Sequence, residues 1–223
     1  QKYSNFANES FSWSYLEKPL LDNLLSLLPF NNSKILDMGC GMGRTLKYLI
    51  DKKIPKENIV GVDICEEMLI IAQKNVPGVK TFKSDLISFV AKDKFDLITC
   101  THVLHYLGEK DFKKALKNFY ALLNPGDVLF FVITHPVRTT RHNLSEYFKR
   151  GCIVDHTPWG TVSPLFLRPV SDIVNETINA GFLIKSLEEP NISTDAKKAD
   201  LTNYLKYSCC PSRIAIIASK PKK

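Results

Sequence analysis

The segment that most constrains the fold is a glycine-rich stretch, residues 39–43, between a strand-like run and a helix-like run. Residues 34–38 read as a short buried strand, and residues 44–52 read as the helix that follows it. Glycines at alternate positions let the backbone turn sharply and approach a ligand closely, because no Cβ intervenes. In an open parallel sheet such a turn lies at the carboxyl ends of the strands, where ligands bind. A tight turn without a ligand is the alternative.

Apolar runs of strand length alternate with amphipathic runs of helix length along the chain, which is typical of a parallel sheet with crossover helices. The predicted strands cover residues 34–38, 58–63, 79–83, 95–100, 127–134, 182–187 and 213–219. The predicted helices cover residues 14–28, 44–52, 66–75, 110–123 and 171–180. The run 128–133 is apolar on both faces, as in a central strand covered from both sides. We therefore predict a Rossmann-like α/β fold: a seven-stranded, mostly parallel sheet with an antiparallel last strand and helices on both faces.

The periodicity breaks in residues 136–170, which contain four prolines. About 35 irregular residues in a compact domain are usually a lid or a binding insertion. We expect one domain over residues 1–223, with an N-terminal helical cap in residues 1–30 and a substrate-side insertion in residues 136–170. The aromatic residues Tyr147, Phe148 and Trp159 either form an apolar wall of an acceptor pocket or pack the insertion onto the core.

Two acidic residues follow the second and third predicted strands. Asp63 lies 20 residues beyond Gly43, where a ribose-binding carboxylate belongs in nucleotide-binding α/β folds. Asp85 follows the third strand by two residues and can accept a hydrogen bond from an adenine amino group. A capping role explains each aspartate taken alone. Their register with the glycine segment across three successive strands favours a nucleoside-containing ligand.

The segment Ile35-Leu36-Asp37-Met38-Gly39-Cys40-Gly41-Met42-Gly43 resembles the glycine motif of class I S-adenosylmethionine-dependent methyltransferases. The resemblance extends over residues 34–135 through further matching segments. These are Gly61-Val62-Asp63-Ile64 with Met68, Ser84-Asp85-Leu86, Phe95-Asp96-Leu97-Ile98, Val103-Leu104-His105-Tyr106 and Leu122-Leu123-Asn124-Pro125-Gly126-Asp127. The glycine spacing differs from the Gly-x-Gly-x-x-Gly of dinucleotide folds and lacks the Lys of a phosphate loop.

This resemblance implies S-adenosylmethionine as the cofactor and S-adenosylhomocysteine as the product. By analogy, Asp63 holds the ribose hydroxyls, and Asp85 with Leu86 frames the adenine. The glycine segment passes under the amino-acid part, and Thr101 and His102 line its other side. The full set of implied cofactor-binding residues is Tyr15, Asp37, Gly39, Cys40, Gly41, Gly43, Asp63, Ile64, Met68, Asp85, Leu86, Thr101 and His102.

The flanking segments resemble a narrower, small-molecule-type group, the methyltransferase type 11 group. In that group, an aromatic residue followed by Glu-Arg-Pro precedes the first strand, and this chain has Tyr15-Leu16-Glu17-Lys18-Pro19 at that place. The group also has a later His-Arg-Pro-Leu-Ser-Asp-Tyr segment, where this chain has Leu167-Arg168-Pro169-Val170-Ser171-Asp172-Ile173. Ala180-Gly181-Phe182 and Glu189-Pro190 also match. Lys18 replaces the arginine and Leu167 replaces the histidine, so any role of that histidine is absent or has moved.

Methyl transfer from a sulfonium is an in-line displacement, so the enzyme needs mainly to hold the nucleophile about 3 Å from the methyl group. A general base is needed only if the nucleophile carries a proton of high pKa. The histidine candidates are His102, His105, His135, His142 and His156, each of which can also have a structural role. We rank His135 first, because it ends the fifth strand at the cofactor edge, and we expect Tyr106 to orient a substrate.

Charge and cysteine usage bound the remaining alternatives. The net charge of +7 and the pI of about 9.0 fit a nucleic-acid partner, an acidic substrate or a solvated, lysine-rich surface. The sequence has no Cys-x-x-Cys pair and no His or Cys at zinc spacing, so we expect no metal. It has no segment like a signal peptide and no long apolar run, so we expect a cytoplasmic protein. We expect it to be a monomer or a homodimer. Small-molecule methylation is the leading hypothesis. The others are tRNA methylation, a non-catalytic protein of the same fold and, more weakly, a nicotinamide dehydrogenase.

Overall fold

The computed structural model describes residues 10–27, 32–156, 160 and 162–222. Its strands are β1 (Ile35–Met38), β2 (Ile59–Asp63), β3 (Lys80–Lys83), β4 (Phe95–Thr101), β5 (Leu123–Thr134), β6 (Gly151–His156), β7 (Val162–Leu167), β8 (Leu183–Glu188) and β9 (Arg213–Ser219). Seven of them form one sheet in the order β3-β2-β1-β4-β5-β9-β8. The strands β1 to β5 pair in parallel, and β9 runs antiparallel to both β5 and β8. The predicted seven-stranded sheet with an antiparallel last strand is confirmed.

Helices cover both faces of this sheet. They are α1 (Lys18–Leu27), preceded by a π-helical turn (Trp13–Glu17), α2 (Arg44–Asp51), α3 (Glu66–Asn75), α4 (Glu109–Leu122), α5 (Pro136–Thr140), α6 (Val170–Asn179), α7 (Ala196–Ala199) and α8 (Leu201–Ser208). Alternate residues of β5 point to opposite faces. Phe130 belongs to the core cluster that includes residues of α1, α2 and α3, and Phe131 belongs to the cluster with α4 and α6.

Three regions differ from the prediction. Residues 136–170, expected to be irregular, contain α5 and an antiparallel hairpin of β6 and β7. The helices α7 and α8, between β8 and β9, were not predicted. The strand β5 begins at Leu123 rather than residue 127, because Leu123 already pairs with Phe95 of β4; the register then shifts before Val128 pairs with Leu97.

Parts of the N-terminal cap prediction, including Leu28 and Pro29, lie outside the described residues, as does Trp159. Within the described residues, no helix has the length and apolar character needed to cross a membrane.

Candidate functional site

A cavity of about 360 Å³ opens at the carboxyl edge of the parallel strands. The ends of β1, β2 and β4 and the loop after β3 form its walls. The predicted site residues that line it are Gly39, Cys40, Gly41, Asp63, Ile64, Met68, Asp85, Leu86, Thr101, His102 and Tyr106. Met42, Arg44, Thr45, Val62, Ser84, Val103 and Leu107 complete the lining. Four predicted residues, Tyr15, Asp37, Gly43 and His135, are not part of it.

The glycine segment forms the floor of this cavity and is fixed to β2. The N–H groups of Gly39 and Cys40 both donate to the Val62 carbonyl oxygen, at 2.7 and 2.9 Å. Gly39 and Gly41 have φ of +78° and +53°, in the left-handed region that favours glycine. A Cβ at Gly39 would overlap Val103 Cγ2, whereas a Cβ at Gly41 would meet no atom within 4 Å. The backbone at Gly41 is therefore open to a ligand.

Gly43 has a structural role beside the cavity. It precedes α2 with φ of +86°, and a Cβ there would lie 3.2–3.4 Å from atoms of Val76 and Ala72. The absence of a side chain lets α2 and α3 approach each other closely. The side chain of Tyr15 packs elsewhere, with its ring centroid 4.8 Å from that of Phe11 and near the Leu16–Ile192–Ala196 cluster.

The carboxylate of Asp63 both orders the local backbone and faces the cavity. Its Oδ2 accepts a hydrogen bond from the Gly41 N–H at 2.7 Å, and its Oδ1 accepts one from the Cys65 N–H at 2.9 Å. An ionised carboxylate has about four acceptor positions, so it retains capacity for further donors such as ribose hydroxyls. Asp85 is arranged similarly, since its Oδ1 accepts from the Ile87 N–H at 3.0 Å. Both carboxylates therefore hold the backbone two residues on, rather than capping a helix, and both line the cavity.

Asp37 lies buried in β1, at the edge where the cavity opens. The Thr99 hydroxyl donates to Asp37 Oδ1 at 2.7 Å, and Asp37 Oδ2 has no partner among the described residues. Burial raises the pKa of Asp37 to about 7, and the nearby negative charge of Asp63 acts in the same direction. A cation near Asp37 favours its ionised form; the Arg44 side chain, which lines the cavity, acts in this direction, and a positively charged ligand would add to it. This chemistry fits S-adenosylmethionine, which carries a cationic sulfonium and an amino group.

Replacing Asp37 by Asn is expected to flatten the pH dependence of stability. The folded-state pKa of about 7 lies above the ordinary 3.8, so the folded protein holds the proton more tightly, and stability falls as pH rises between these values. Each pH unit is worth about 1.36 kcal/mol, so the difference in unfolding free energy amounts to a few kcal/mol. Asparagine keeps an acceptor for Thr99. Urea denaturation of both proteins from pH 4 to 8 measures the effect, and parallel pH curves would contradict it.

A charged cluster beside the cavity was missed by the sequence reasoning. Glu17 is fully buried, and its Oε1 lies 2.7 Å from both Arg213 Nε and His102 Nε2. Burial alone would raise the pKa of Glu17, but Arg213 and His102 hold it well below its usual range. Burial and the charge of Arg213 lower the pKa of His102, which favours the neutral ring. The neutral ring can donate a hydrogen bond from its Nε2 to the Glu17 carboxylate.

This cluster fixes one wall of the cavity. His102 has a backbone φ of +60°, and its N–H donates to the Val132 carbonyl oxygen at 2.8 Å. The bond to Glu17 brings the segment before α1 to the end of β4. The quoted Tyr15–Pro19 motif contained Glu17, but no local pattern marked Arg213 as its partner.

His135, the first-ranked catalytic candidate, is not brought to the cavity. It is buried, and its Nδ1 accepts a hydrogen bond from the Val137 N–H at 3.1 Å, which caps α5. Its Nε2 lies 2.6 Å from Glu189 Oε1. Burial lowers its pKa. The hydrogen bond that caps α5 sets the direction of the His135 side chain, so this residue has a structural role. Tyr106, the other candidate, does line the cavity.

Among the described residues, no group of three or more His, Cys, Asp or Glu side chains could hold a metal ion. The fold and the cavity together define a class: a Rossmann-like α/β protein with an open ligand cavity at the carboxyl edge of its parallel strands.

Comparisons with known proteins show what the chain is similar to within this class. A family model described as a methyltransferase domain matches residues 35–126. An uncharacterized protein of Haemophilus influenzae is 26% identical over 207 residues, or 80% of this chain and 77% of that one. The trans-aconitate 2-methyltransferase of an Azoarcus species is 30% identical over 130 residues, or 58% of this chain and 47% of that one.

Solved structures show the same fold. An S-adenosylmethionine-dependent methyltransferase from Mesorhizobium loti superposes with a TM-score of 0.70 at 21% identity, covering 95% of this chain and 99% of that one. The chain therefore has the fold of these S-adenosylmethionine-dependent methyltransferases, and residues 35–126 match a methyltransferase domain. The resemblance recognised in the sequence is confirmed.

Proposed function

We propose that the protein methylates a small-molecule acceptor at oxygen, nitrogen or carbon. The observation that supports this proposal is the packing of β7 and the residue after it against Leu107 and Gly108, at the end of a segment that lines the cavity. Phe166 of β7 lies so close that a Cβ at Gly108 would be 3.3 Å from its ring. The Arg168 guanidinium, just after β7, donates to the carbonyl oxygen of Leu107, a cavity-lining residue, at 2.8 Å. A cavity of about 360 Å³, which must also hold the cofactor, favours a compact acceptor.

S-adenosylmethionine supplies a methyl group on a sulfonium, whose departure as a neutral thioether makes the displacement favourable. The protein's part is therefore to align the acceptor and to exclude water. Asp63, Asp85 and the glycine segment hold the cofactor side in this proposal. Tyr106 and His102 line the same cavity and orient the acceptor. The neutral imidazole of His102 can accept a proton if the methyl acceptor must lose one.

The relatives support a small acceptor. The Azoarcus relative is named for methylation of trans-aconitate, a small polycarboxylic acid. The matched residues span about half of that protein, so its substrate is an analogy for this chain.

We further propose a cytoplasmic monomer or homodimer with one methyltransferase domain, in which residues 136–170 face the acceptor. Cys40 and Cys100 are buried free thiols, which suits a reducing compartment. A tRNA acceptor is the second candidate, favoured by the net charge of +7. It requires a contiguous basic surface at the cavity mouth and binding that weakens steeply with salt.

Methyl-labelled S-adenosylmethionine and a fractionated cell extract distinguish these acceptors. We expect label in the small-molecule fraction, unchanged by ribonuclease and only weakly dependent on salt between 50 and 200 mM. Label that appears in RNA and disappears with ribonuclease would contradict the small-molecule proposal. Cofactor binding without transfer to any fraction would favour a non-catalytic protein.

A further inference from the structure

The charged cluster of Glu17, His102 and Arg213 lies beside one end of the cavity. Asp63 ends β2 and Asp85 follows β3, whereas His102 follows β4, on the other side of β1 in the sheet. The next strand is β5, and β9 runs antiparallel to it, so Arg213 at the start of β9 lies at the carboxyl end of β5. The cluster is therefore at the opposite end of the cavity from the two aspartates proposed to hold the nucleoside.

Glu17 sets the tautomer of His102. Burial disfavours the charged form of Glu17, yet Arg213 and His102 hold its pKa well below its usual range, so the carboxylate is ionised at neutral pH. An ionised carboxylate only accepts hydrogen bonds. The 2.7 Å contact between Glu17 Oε1 and His102 Nε2 therefore requires the ring proton on Nε2. In the neutral ring this leaves a lone pair on Nδ1.

The lone pair on Nδ1 of His102 is available to a ligand. The His102 side chain is 22% exposed and lines the cavity, while Glu17 is buried behind it. Nδ1 has no hydrogen-bond partner within the described part of the chain, and unlike Nδ1 of His105 it is not shut off from solvent. A molecule in the cavity can therefore present a proton to this nitrogen.

Four charged or titratable side chains lie near the His102 ring, namely Glu17, Arg213, Arg44 and His105. Burial and the positive charges of Arg213 and Arg44 lower the pKa of His102, and the negative charge of Glu17 opposes them. His105, whose ring centroid is 6.0 Å away, is held neutral by burial. The His102 ring is therefore neutral at neutral pH, and ionised Glu17 stabilises the cation that forms when the ring takes a proton.

We propose that His102 is the general base for a hydroxyl acceptor and that Glu17 is its positioning residue. This inference rests on the proposed small-molecule function and narrows the acceptor. Nδ1 takes the hydroxyl proton, the hydroxyl oxygen bonds to the methyl carbon, and the carbon–sulfur bond breaks with its electron pair left on sulfur. The products are a methyl ether, S-adenosylhomocysteine and protonated His102, which then releases its proton to water.

A hydroxyl is the acceptor that most needs this base. It is a weak nucleophile until its proton leaves, so a base that removes the proton during the displacement lowers the barrier. A carboxylate is already ionised at neutral pH. A neutral amine attacks through its lone pair and can lose its proton afterwards.

The tautomer can be tested without an acceptor. In the complex with S-adenosylhomocysteine, nitrogen-15 NMR from pH 5 to 8 should show the proton of His102 on Nε2 and a pKa below the ordinary 6.5. His102→Gln identifies the signals. Glu17→Gln should lower the pKa of His102 further, because a negative charge beside the ring is lost. A proton on Nδ1 in the wild-type protein, or a pKa unchanged by Glu17→Gln, would overturn the proposal.

Catalysis is measured as label transfer from saturating methyl-labelled S-adenosylmethionine to the small-molecule fraction of a cell extract. His102→Gln keeps a donor for Glu17 but has no basic nitrogen, so we expect the rate to fall about 100- to 10,000-fold. The wild-type rate should fall as pH drops through the pKa of His102. Glu17→Gln should lower the rate less than His102→Gln and move this fall to lower pH. The labelled product should withstand alkali, as a methyl ether does.

His142→Gln is the matched control, because His142 is an exposed histidine that does not line the cavity, and its rate should equal that of the wild type. If Glu17→Gln fails to fold, the wild-type tautomer and the rate of His102→Gln still decide. An undiminished rate in His102→Gln, or label released by alkali as methanol, would overturn the general-base proposal and leave small-molecule methylation intact. No transfer by the wild-type protein to any small molecule would count against the proposed function itself.

Discussion

Replacing Asp63 by alanine is expected to abolish the thermal stabilisation that S-adenosylhomocysteine gives the wild-type protein. The Asp63 carboxylate lines the cavity at the end of β2 and has acceptor capacity beyond its bonds to the Gly41 and Cys65 N–H groups. Hydrogen bonds to a charged group are worth about 1.5–3 kcal/mol each. Loss of two such bonds to the ribose weakens binding by more than about 100-fold. Calorimetric titration measures this affinity directly.

Two controls separate ligand binding from loop order. Asp63→Asn keeps an acceptor for the Gly41 N–H but loses the charge, so it should fold normally and bind the ligand with intermediate affinity. Asp51→Ala removes an exposed carboxylate that pairs with Lys47 on α2, so its ligand affinity should match the wild type. Undiminished binding by Asp63→Ala would show that the ribose does not lie at the end of β2.

Replacing Gly39 by alanine is expected to destabilise the folded protein by about 2–5 kcal/mol. The left-handed backbone at φ of +78° costs a non-glycine residue about 1–2 kcal/mol, and the overlap with Val103 adds an overpacking cost of about 1–3 kcal/mol. Small domains are stable by only about 5–15 kcal/mol, so this is a large fraction. Urea denaturation without ligand measures the loss.

Gly41→Ala is the matched comparison for Gly39→Ala. It also has a positive φ, but its Cβ would meet no atom within 4 Å, so we expect a loss of only about 1–2 kcal/mol in the free protein. Its methyl group occupies space at the cavity floor, so ligand affinity should fall more than stability does. Val103→Ala should partly restore Gly39→Ala, because it removes the overlapping methyl group. Equal destabilisation by the two glycine substitutions would contradict this assignment of their roles.

The sheet and the cofactor side of the site were predictable from the sequence because both depend on local patterns. The apolar run of β5 identifies a central strand, and strand ends followed by Gly39, Asp63 and Asp85 converge at one edge in any parallel sheet.

Features that depend on contacts distant in sequence were not predictable. Glu17 pairs with Arg213 across 196 positions, and the pair exists only because β9 enters antiparallel beside β5. We predicted that His135 faces the cofactor because it ends β5. Its ring instead accepts a hydrogen bond from the Val137 N–H and caps α5. The β6–β7 hairpin was hidden because its largely exposed strands lack a clear apolar alternation and β7 contains Pro164.

Thermal melting with S-adenosylmethionine, S-adenosylhomocysteine and NAD in parallel tests most directly whether the cavity binds the methyl donor. At 100 times its dissociation constant, a bound ligand stabilises the folded protein by about 2.7 kcal/mol. We predict that S-adenosylmethionine and S-adenosylhomocysteine raise the melting temperature, that NAD leaves it unchanged, and that Asp63→Ala removes the rise. Stabilisation by NAD alone would contradict the assignment of this cavity as an S-adenosylmethionine site.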